Sequence, residues 1–178
     1  MRKAYLFTLL LSVFFSCTLH AQTTKTIDVA QPGTLSATLG EELKTVKDLT
    51  VTGKINTSDI DGLAQANALE VLNLLDAVIV DAEGKETTVF PGYTFRKHPA
   101  LTTFTFPKTV TTVGNGAFFK CQKLKKVVLP ETIKKLNETV FMSCSALSDI
   151  NFPNGLESIG RSALYMTAIT EFTAPKSL

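Results

Sequence analysis

Histidine and cysteine are scarce in this chain of 178 residues, which contains two histidines and three cysteines. Acid–base catalysis and zinc binding both depend on sets of such side chains that converge on one point. His20 lies within the first 21 residues, so His98 is the one histidine of the remaining chain. The sequence also lacks a glycine-rich phosphate-binding motif. We therefore expect no enzyme activity, no metal site and no cofactor.

A hydrophobic run long enough for a membrane span is also lacking, because a span needs about 18 apolar residues. The apolar run Ala4 to Phe15 follows a positively charged start and precedes a small residue at Ala21. This order is typical of a secretory signal peptide, here residues 1–21. Cys17 offers an alternative as the lipid-modified first residue of a lipoprotein, but the two aromatic residues before it disfavour that site. We expect an exported protein, either secreted or held at the outer cell surface.

The exported chain would carry no net charge. Cleavage after Ala21 removes two of the 18 basic residues and none of the 16 acidic ones, which leaves 16 of each. The charges are unevenly distributed, with a net charge of −6 over residues 22–86 and +6 over residues 87–178. Two solvated faces explain this distribution, and head-to-tail self-association is the alternative. Export and the neutral total disfavour a nucleic-acid partner.

One seven-residue pattern recurs at an interval of 23 residues. It runs from Leu101 to Pro107, and it returns from Leu124 to Pro130 and from Leu147 to Pro153. Other apolar columns keep the same interval: Val110/Ile133/Leu156, Val113/Leu136/Ile159 and Phe95/Phe118/Phe141. A fixed period that preserves each apolar column is the signature of a solenoid, in which stacked coils bury one continuous core.

Weaker copies extend the pattern to about six repeats. Two earlier copies begin at Val46 and Leu69, and a sixth begins at Ile169 after one deletion. The interval between the second and third copies is nine residues longer, which places an insertion near residues 77–89. Each copy should form a short β-strand that pairs in parallel with the next one, joined by short helical or irregular return segments.

Residues 22–44 are predicted to form an N-terminal leader that caps the repeat domain of residues 45–178. Leu35, Leu39 and Leu43 recur at helical spacing in this leader. Beyond it, Ser58 and Asp61 resemble a capping box that opens a helix over about residues 59–66. In the later coils, one column after the Val113 column predicts a turn with positive φ. That column consists of Gly114, Asn137 and Gly160.

The repeat L-x-x-[VIF]-x-[LF]-P-x-x-[VIL]-x-x-[VIL]-[GN]-x-x-[AV]-F-x-x-C resembles the BspA-type leucine-rich repeats of secreted and surface bacterial proteins. Residues 31–35 and 49–56 are similar to the leader and first repeat often found in that family. The resemblance covers about residues 28–175. It implies a leucine-rich-repeat solenoid of the α/β type and a surface-exposed binding or adhesion function, in some members toward host matrix proteins. It supplies no catalytic residues.

The outward positions of the predicted strands are the first candidate binding surface, because strand side chains alternate between core and solvent. They form two polar columns that have no single charge sign and no aromatic side chain for stacking on a sugar. A protein partner is therefore favoured, and a glycan is the alternative. The candidate positions are Thr103, Thr105, Lys126, Val128, Asp149, Asn151, Glu171 and Thr173.

A run of six lysines is the second candidate surface, since Glu131 alone opposes them in that stretch. A solvated outer face is the simpler interpretation. The functional interpretation is a patch for an acidic glycan or protein, whose binding salt would weaken. The lysines are Lys120, Lys123, Lys125, Lys126, Lys134 and Lys135.

His98, Cys121 and Cys144 occupy one column of the repeat. Cysteine is commonly buried, so we interpret this column as part of the core. A Cys121–Cys144 disulfide is the alternative, because a strand spacing of about 4.8 Å lies within the usual Cα separation of about 4.4–6.8 Å. Side chains that point the same way in parallel strands have poor torsion for such a bond.

The sixth copy would leave an unpaired strand edge over residues 169–174. We therefore expect the native molecule either to continue beyond Leu178 or to pair this edge with another chain. The second outcome would be an edge-to-edge self-association.

Overall fold

The computed structural model of the chain describes residues 24–178. The predicted signal peptide of residues 1–21 and the alternative site at Cys17 lie outside the described residues. The helices are α1 (Leu35–Leu39) and α2 (Thr57–Ala64), with a 3₁₀ helix at Gly40–Lys44. The strands are β1 (Lys25–Val29), β2 (Asp48–Ile55), β3 (Val71–Asn73), β4 (Ala77–Ile79), β5 (Val89–Phe90), β6 (Thr103–Thr105), β7 (Thr112–Val113), β8 (Lys126–Val128), β9 (Lys135–Leu136), β10 (Asp149–Ile150) and β11 (Ser158–Ile159).

The main sheet confirms the predicted parallel ladder. It has seven strands, with β1, β2, β3, β6, β8 and β10 side by side and β4 paired to β2. Phe104 faces Val127 at the repeat interval of 23 residues, and Leu72 faces Phe104 across the longer interval that contains the insertion. The chain therefore folds as the predicted repeat solenoid.

The return path also contains strands, which the sequence pattern alone did not predict. The Val113/Leu136/Ile159 column lies in a second parallel sheet of four strands, ordered β11, β9, β7 and β5. The residues between the two sheets form one continuous apolar core. Six fully buried phenylalanines fill its middle: Phe90, Phe95, Phe104, Phe106, Phe118 and Phe141.

The leader contributes more than a helix. Its strand β1 pairs in parallel with β2, with Ile27 opposite Val51, and so extends the main sheet by one strand. The predicted leucine spacing produces α1, which buries Leu35 and Leu39 and continues into the 3₁₀ helix. The open end of the core is therefore covered both by strand pairing and by apolar side chains.

The capping box of α2 lies two residues earlier than predicted. The Asn56 side chain accepts a hydrogen bond from the Asp59 backbone N–H, and the Asp59 side chain accepts one from the Asn56 backbone N–H. Asp61 and Ser58 are exposed instead. Asp59 caps the helix because the residue is buried, with 1% of its surface exposed, and its carboxylate also accepts hydrogen bonds from the leader.

The predicted positive φ at Gly114, Asn137 and Gly160 is wrong. Positive φ occurs two residues later in the coil, at Gly116, Thr139 and Ser162. Glycine is needed at position 114 for a different reason: a Cβ there would lie 2.5 Å from the Gly92 backbone nitrogen of the preceding coil. Neighbouring coils approach too closely at this point for a side chain to fit.

Two further predictions about loops and ends can be compared with the structure. In the region of the insertion, β4 pairs with β2 and is followed by a polar turn in which the Asp81 backbone N–H donates to the Lys85 carbonyl. The sixth copy, in contrast, forms no strand over residues 169–174, so the expected strand edge is absent there. A strand at this place would set Glu171 opposite Asp149, and like charges opposite each other destabilise a ladder.

No helix within residues 24–178 has the length and apolar character needed to cross a membrane.

Candidate interaction surfaces

The exposed face of the main sheet carries two straight columns of side chains. The strand register aligns Asp48, Val71, Thr103, Lys126 and Asp149 in the first column. It aligns Thr50, Asn73, Thr105 and Val128 in the second column. These residues are half-buried or exposed, while the residues between them are in the core. The structure therefore brings together five of the eight candidate positions on three adjacent strands. We call these two columns the sheet face.

The leader extends the sheet face by one strand. Thr26 lies opposite Thr50, and the Thr24 hydroxyl donates a hydrogen bond of 3.0 Å to the Asp48 carboxylate. The Thr52 hydroxyl likewise donates to the Asp28 carboxylate at 2.8 Å. Sequence reasoning missed this part because the leader does not follow the repeat pattern, although alternation in Lys25–Val29 was a usable signal.

The other three candidate positions do not join the columns as free side chains. Asn151 uses its amide in place of a strand, accepting from the Leu129 backbone N–H at 2.8 Å and donating to the Leu129 carbonyl at 2.7 Å. Glu171 and Thr173 are exposed in the segment that forms no strand. The sheet face therefore ends at β10.

The six predicted lysines do not form one patch. Lys126 lies on β8 of the main sheet and pairs with Asp149 at 2.8 Å. Lys135 lies on β9 of the second sheet, and its neighbour Lys134 pairs with Glu157 at 2.6 Å. The lysines at positions 120 and 123 lie on the turns between the sheets, and Lys125 is exposed just before β8. These lysines are spread out because a short segment of chain passes from the main sheet at β8 to the second sheet at β9.

Ion pairs on this molecule mostly connect neighbouring coils. Examples are Lys47 with Glu70 at 2.8 Å, and Lys108 with Asp76 at 2.8 Å. All are solvent-exposed, and such pairs contribute about 0–1 kcal/mol each. Their main consequence is that many of the surface charges are already neutralised inside the chain.

The His98, Cys121 and Cys144 column lies in the core. The Cys121 thiol donates to the Phe95 carbonyl at 2.8 Å, and the Cys144 thiol donates to the Phe118 carbonyl at 3.0 Å. Both cysteines are free thiols, so the alternative disulfide does not form in this structure. Contact with the Cys121 thiol and burial raise the pKa of Cys144, which keeps its thiol protonated.

His98 is 3% exposed. Its Nδ1 accepts a hydrogen bond from the Leu101 backbone N–H at 3.0 Å, so the ring proton of the neutral form is on Nε2. Burial lowers the pKa of His98 below its usual value of 6.5 because the charged form is desolvated. The neutral His98 ring therefore stabilises the turn before Leu101.

We expect His98 to make the folded state sensitive to mild acid. Because the pKa is lower in the folded state, the unfolded chain binds the proton first as the pH falls below 6.5, and stability falls with it. The slope is at most about 1.4 kcal/mol per pH unit. The control is His98→Cys, which repeats the residue of the next two coils. Urea unfolding between pH 7.5 and 5 should show a steeper loss for the native chain than for this variant; equal slopes would contradict the assignment.

The turns carry a basic cluster, in which sequence reasoning named Lys120 and Lys123 but missed Arg96 and Lys97. Lys97, Lys120 and Lys123 line a shallow depression of about 320 Å³ together with His98, Pro99 and Gln122. The Arg96 guanidinium lies 5.3 Å from the centroid of the Phe119 ring, and the Lys120 ammonium lies 5.2 Å from it. A usable signal was present, because residues 87–130 contain seven basic residues and no acidic one.

A second depression lies beside the second sheet. It has a volume of about 440 Å³ and contains charges of both signs, with Glu138 near Lys135 and Arg161. Within the described part of the chain, no three His, Cys, Asp or Glu side chains are grouped so that they could hold a metal ion.

Comparison with known proteins places this architecture. The family model for the BspA type leucine-rich repeat region matches residues 83–178, with six copies. No curated protein matches the chain. A leucine-rich repeat protein from Eubacterium ventriosum ATCC 27560 has a similar solved structure, with 22% identity and a TM-score of 0.54 over 73% of this chain. One from Bacteroides ovatus ATCC 8483 shows 20% identity and a TM-score of 0.48 over 74% of this chain.

The likeness to the solved structures concerns the fold. This chain covers 33% of the Eubacterium protein and 38% of the Bacteroides protein, so it spans little more than a third of their length. Both of these proteins are described as leucine-rich repeat proteins. The similarity to the Eubacterium protein agrees with the parallel coils described above.

Proposed function

The chain belongs to the BspA-type leucine-rich repeat family, and from this premise we propose that it is an exported, non-catalytic recognition protein. The observation that carries the proposal is the sheet face, where the strand register sets outward side chains in one continuous column across five strands and a second across four. A rigid, extended and partly exposed surface of this kind suits contact with another macromolecule. The inward side chains that alternate with these columns, such as Leu72, Phe104 and Val127, lie in the core.

The partner of the sheet face is proposed to be a protein. The columns contain threonine, asparagine, valine and single charges of both signs, and no aromatic side chain lies among them. Such a surface can form many hydrogen bonds but offers no ring on which a sugar could stack. A host matrix protein is the proposed class, in keeping with the family resemblance.

The non-catalytic character is supported by where the reactive side chains lie. Cys121 and Cys144 donate to main-chain carbonyls inside the core, and His98 accepts from a backbone N–H. Catalysis would need a nucleophile and a base that converge on a site open to substrate. These three side chains are committed to packing instead. Export is supported by the charge and hydropathy pattern of residues 1–21.

A matched pair of threonine variants tests the sheet face. Thr105 on β6 and Thr112 on β7 are both half-buried, and they lie on different sheets. We expect Thr105→Arg to weaken capture of the purified protein on an array of immobilised matrix proteins by about tenfold, equal to about 1.4 kcal/mol, because a bulky charge breaks the contact. Thr112→Arg should leave capture within about twofold of the native level.

The outcomes of this test are distinct. Equal losses in both variants would contradict the sheet face as the binding site. A glycan array run in parallel addresses the alternative ligand class, and capture on glycans alone would contradict the protein partner. Silence on both arrays would contradict the proposed class of host partner.

Self-assembly is the second candidate function, because large apolar side chains gather on the last coil. Of the seven exposed large apolar residues in the described chain, four follow position 162: Tyr165, Met166, Phe172 and Leu178. The electrostatic argument for head-to-tail assembly is weaker, since Lys108 and Asp76 already join the two charge halves within one molecule. Recognition by the sheet face remains the better supported proposal.

A further inference from the structure

The basic cluster on the turns lies away from the sheet face and has its own chemistry. We define it as the turn-edge patch, consisting of Arg96, Lys97, Lys120 and Lys123. None of these four side chains forms an ion pair with any described residue, whereas Lys108 and Lys126 of the same acid-free stretch do. The patch is therefore a concentration of positive charge that the protein itself does not neutralise.

The fold places these charges close together. Lys97 and Lys120 occupy one column of the repeat, and both have positive φ, 61° and 62°. The Lys97 backbone N–H donates to the Phe119 carbonyl at 2.8 Å, which holds the two turns against each other. Equivalent residues of neighbouring coils are about 4.8 Å apart. The two ammonium groups therefore project from adjacent rungs of one ladder.

The Phe119 ring holds a further cation close to these lysines. Arg96 and Lys120 both lie within 5.3 Å of its ring centroid, where cation–π attraction holds them. Like charges at this spacing repel each other, and a bound anion would relieve the repulsion. Crowded cations without a carboxylate partner are thus a surface prepared for an anionic ligand.

The depression next to these cations defines the class of ligand. The depression has a volume of about 320 Å³, and it is lined by three lysines together with Gln122, Pro99 and His98. This size is at the lower end of small-ligand sites, which are about 300–1,000 Å³. The lining residues supply three positive charges and hydrogen-bond donors. It suits a hydrated, negatively charged group better than an apolar one.

An acidic peptide fits this surface less well than a polysaccharide. A peptide adding as a strand needs free backbone groups, but the Lys97 and Lys120 N–H groups are already bonded to the next coil. A peptide binding through an apolar anchor needs a pocket lined by large hydrophobic residues, and none of the six lining residues is of this kind. Lysines on flexible stems act as mobile point charges and tolerate variable spacing of the anionic groups.

We propose that the turn-edge patch binds an anionic polysaccharide, through its sulfate or carboxylate groups, independently of the protein partner on the sheet face. The sugar chain would lie across neighbouring coils. The lysines would contact its anionic groups, and Gln122 would donate hydrogen bonds to its hydroxyls.

The test uses two triple variants with the same change in charge. The patch variant is Lys97→Gln, Lys120→Gln and Lys123→Gln; the control is Lys85→Gln, Lys135→Gln and Lys176→Gln, three exposed lysines elsewhere. Calorimetric titration with a heparin-derived octasaccharide should show about a tenfold loss for the patch variant, since three exposed charge contacts are removed. The control should change binding by less than about threefold, and added salt should weaken binding to the native protein.

Every outcome decides the proposal. Equal losses in the two triple variants would reduce the effect to net charge and overturn the patch, as would no binding to the native protein. A polyglutamate peptide that binds as tightly as the octasaccharide would overturn the polysaccharide assignment. Thr105→Arg should bind the octasaccharide normally, so failure of this proposal is distinguishable from failure of the sheet face. Thermal melting of each variant checks that it is folded. We expect all variants to fold, because all six substituted lysines are exposed.

Discussion

Replacing Phe118 by alanine is expected to lower the free energy of unfolding by about 3–5 kcal/mol. The ring is fully buried at the centre of the core and contacts rings from three successive coils, its own included, at centroid separations between 4.7 and 6.0 Å. Its aromatic neighbours are Phe90, Phe95, Phe104, Phe106 and Phe141. The surrounding coils are tied by backbone ladders on both walls, so they cannot collapse fully into the cavity.

Phe172→Ala is the matched control for this substitution. Phe172 is 44% exposed, and Phe152, at 4.9 Å, is its one aromatic contact among the described residues. We expect this change to cost less than about 1 kcal/mol. Denaturant unfolding of both variants gives the comparison, and similar losses for the two would contradict the position of Phe118 at the centre of the core.

Replacing Asp59 by alanine is expected to cost about 3 kcal/mol or more, because it leaves buried donors without an acceptor. The Asp59 carboxylate accepts hydrogen bonds from the backbone N–H groups of Gly33 at 2.6 Å, Leu35 at 2.9 Å and Asn56 at 3.0 Å. It therefore caps α2 and also fixes the leader to the first repeat. Loss of these bonds should release the leader, which would increase amide hydrogen exchange in β1 and α1.

The control for Asp59 is its neighbour on the same helix. Asp61 is exposed, and Asp61→Ala should change the free energy of unfolding by about 0.5 kcal/mol or less. The sequence pattern predicts a capping box of Ser58 with Asp61, so this pair of substitutions also distinguishes the predicted box from the observed one. Equal effects of the two substitutions would contradict the observed cap.

The solenoid itself was predictable because its signal is repeated. Each apolar column occurs in several copies, so Phe104 and Val127 can be matched by spacing alone and their strands aligned in parallel. The outward positions follow from the same alternation, which is why Thr103, Thr105 and Lys126 lie where the pattern places them. A repeat protein makes one correct local interpretation apply to the whole chain.

Features that depend on contacts between coils could not be predicted in this way. Gly114 looked like a turn residue, but its role is to allow the close approach of Gly92 in the preceding coil. Thr139 adopts positive φ although it is β-branched, because its backbone N–H donates a hydrogen bond to the Arg161 carbonyl of the next coil. Neither feature can be predicted from the sequence of one coil, because both depend on contacts with a neighbouring coil.

The charged surfaces show the same limit. Lys126 and Lys135 are nine residues apart in sequence, yet they lie on opposite sheets, because the chain crosses from the main sheet to the second sheet between them. Conversely, Lys97 and Lys120 are distant in sequence and adjacent in space, since they share a column of the repeat. Surface patches in a solenoid therefore have to be read down the columns, not along the chain.

The most direct test of this account is the register of the two sheets, measured by nuclear Overhauser contacts between backbone protons. We expect parallel-strand contacts of Phe104 with Val127 in the main sheet and of Val113 with Leu136 in the second sheet. We also expect contacts of Leu72 with Phe104 across the insertion. Contacts between other residue pairs, or an antiparallel pattern, would contradict the stacked coils and with them both proposed binding surfaces.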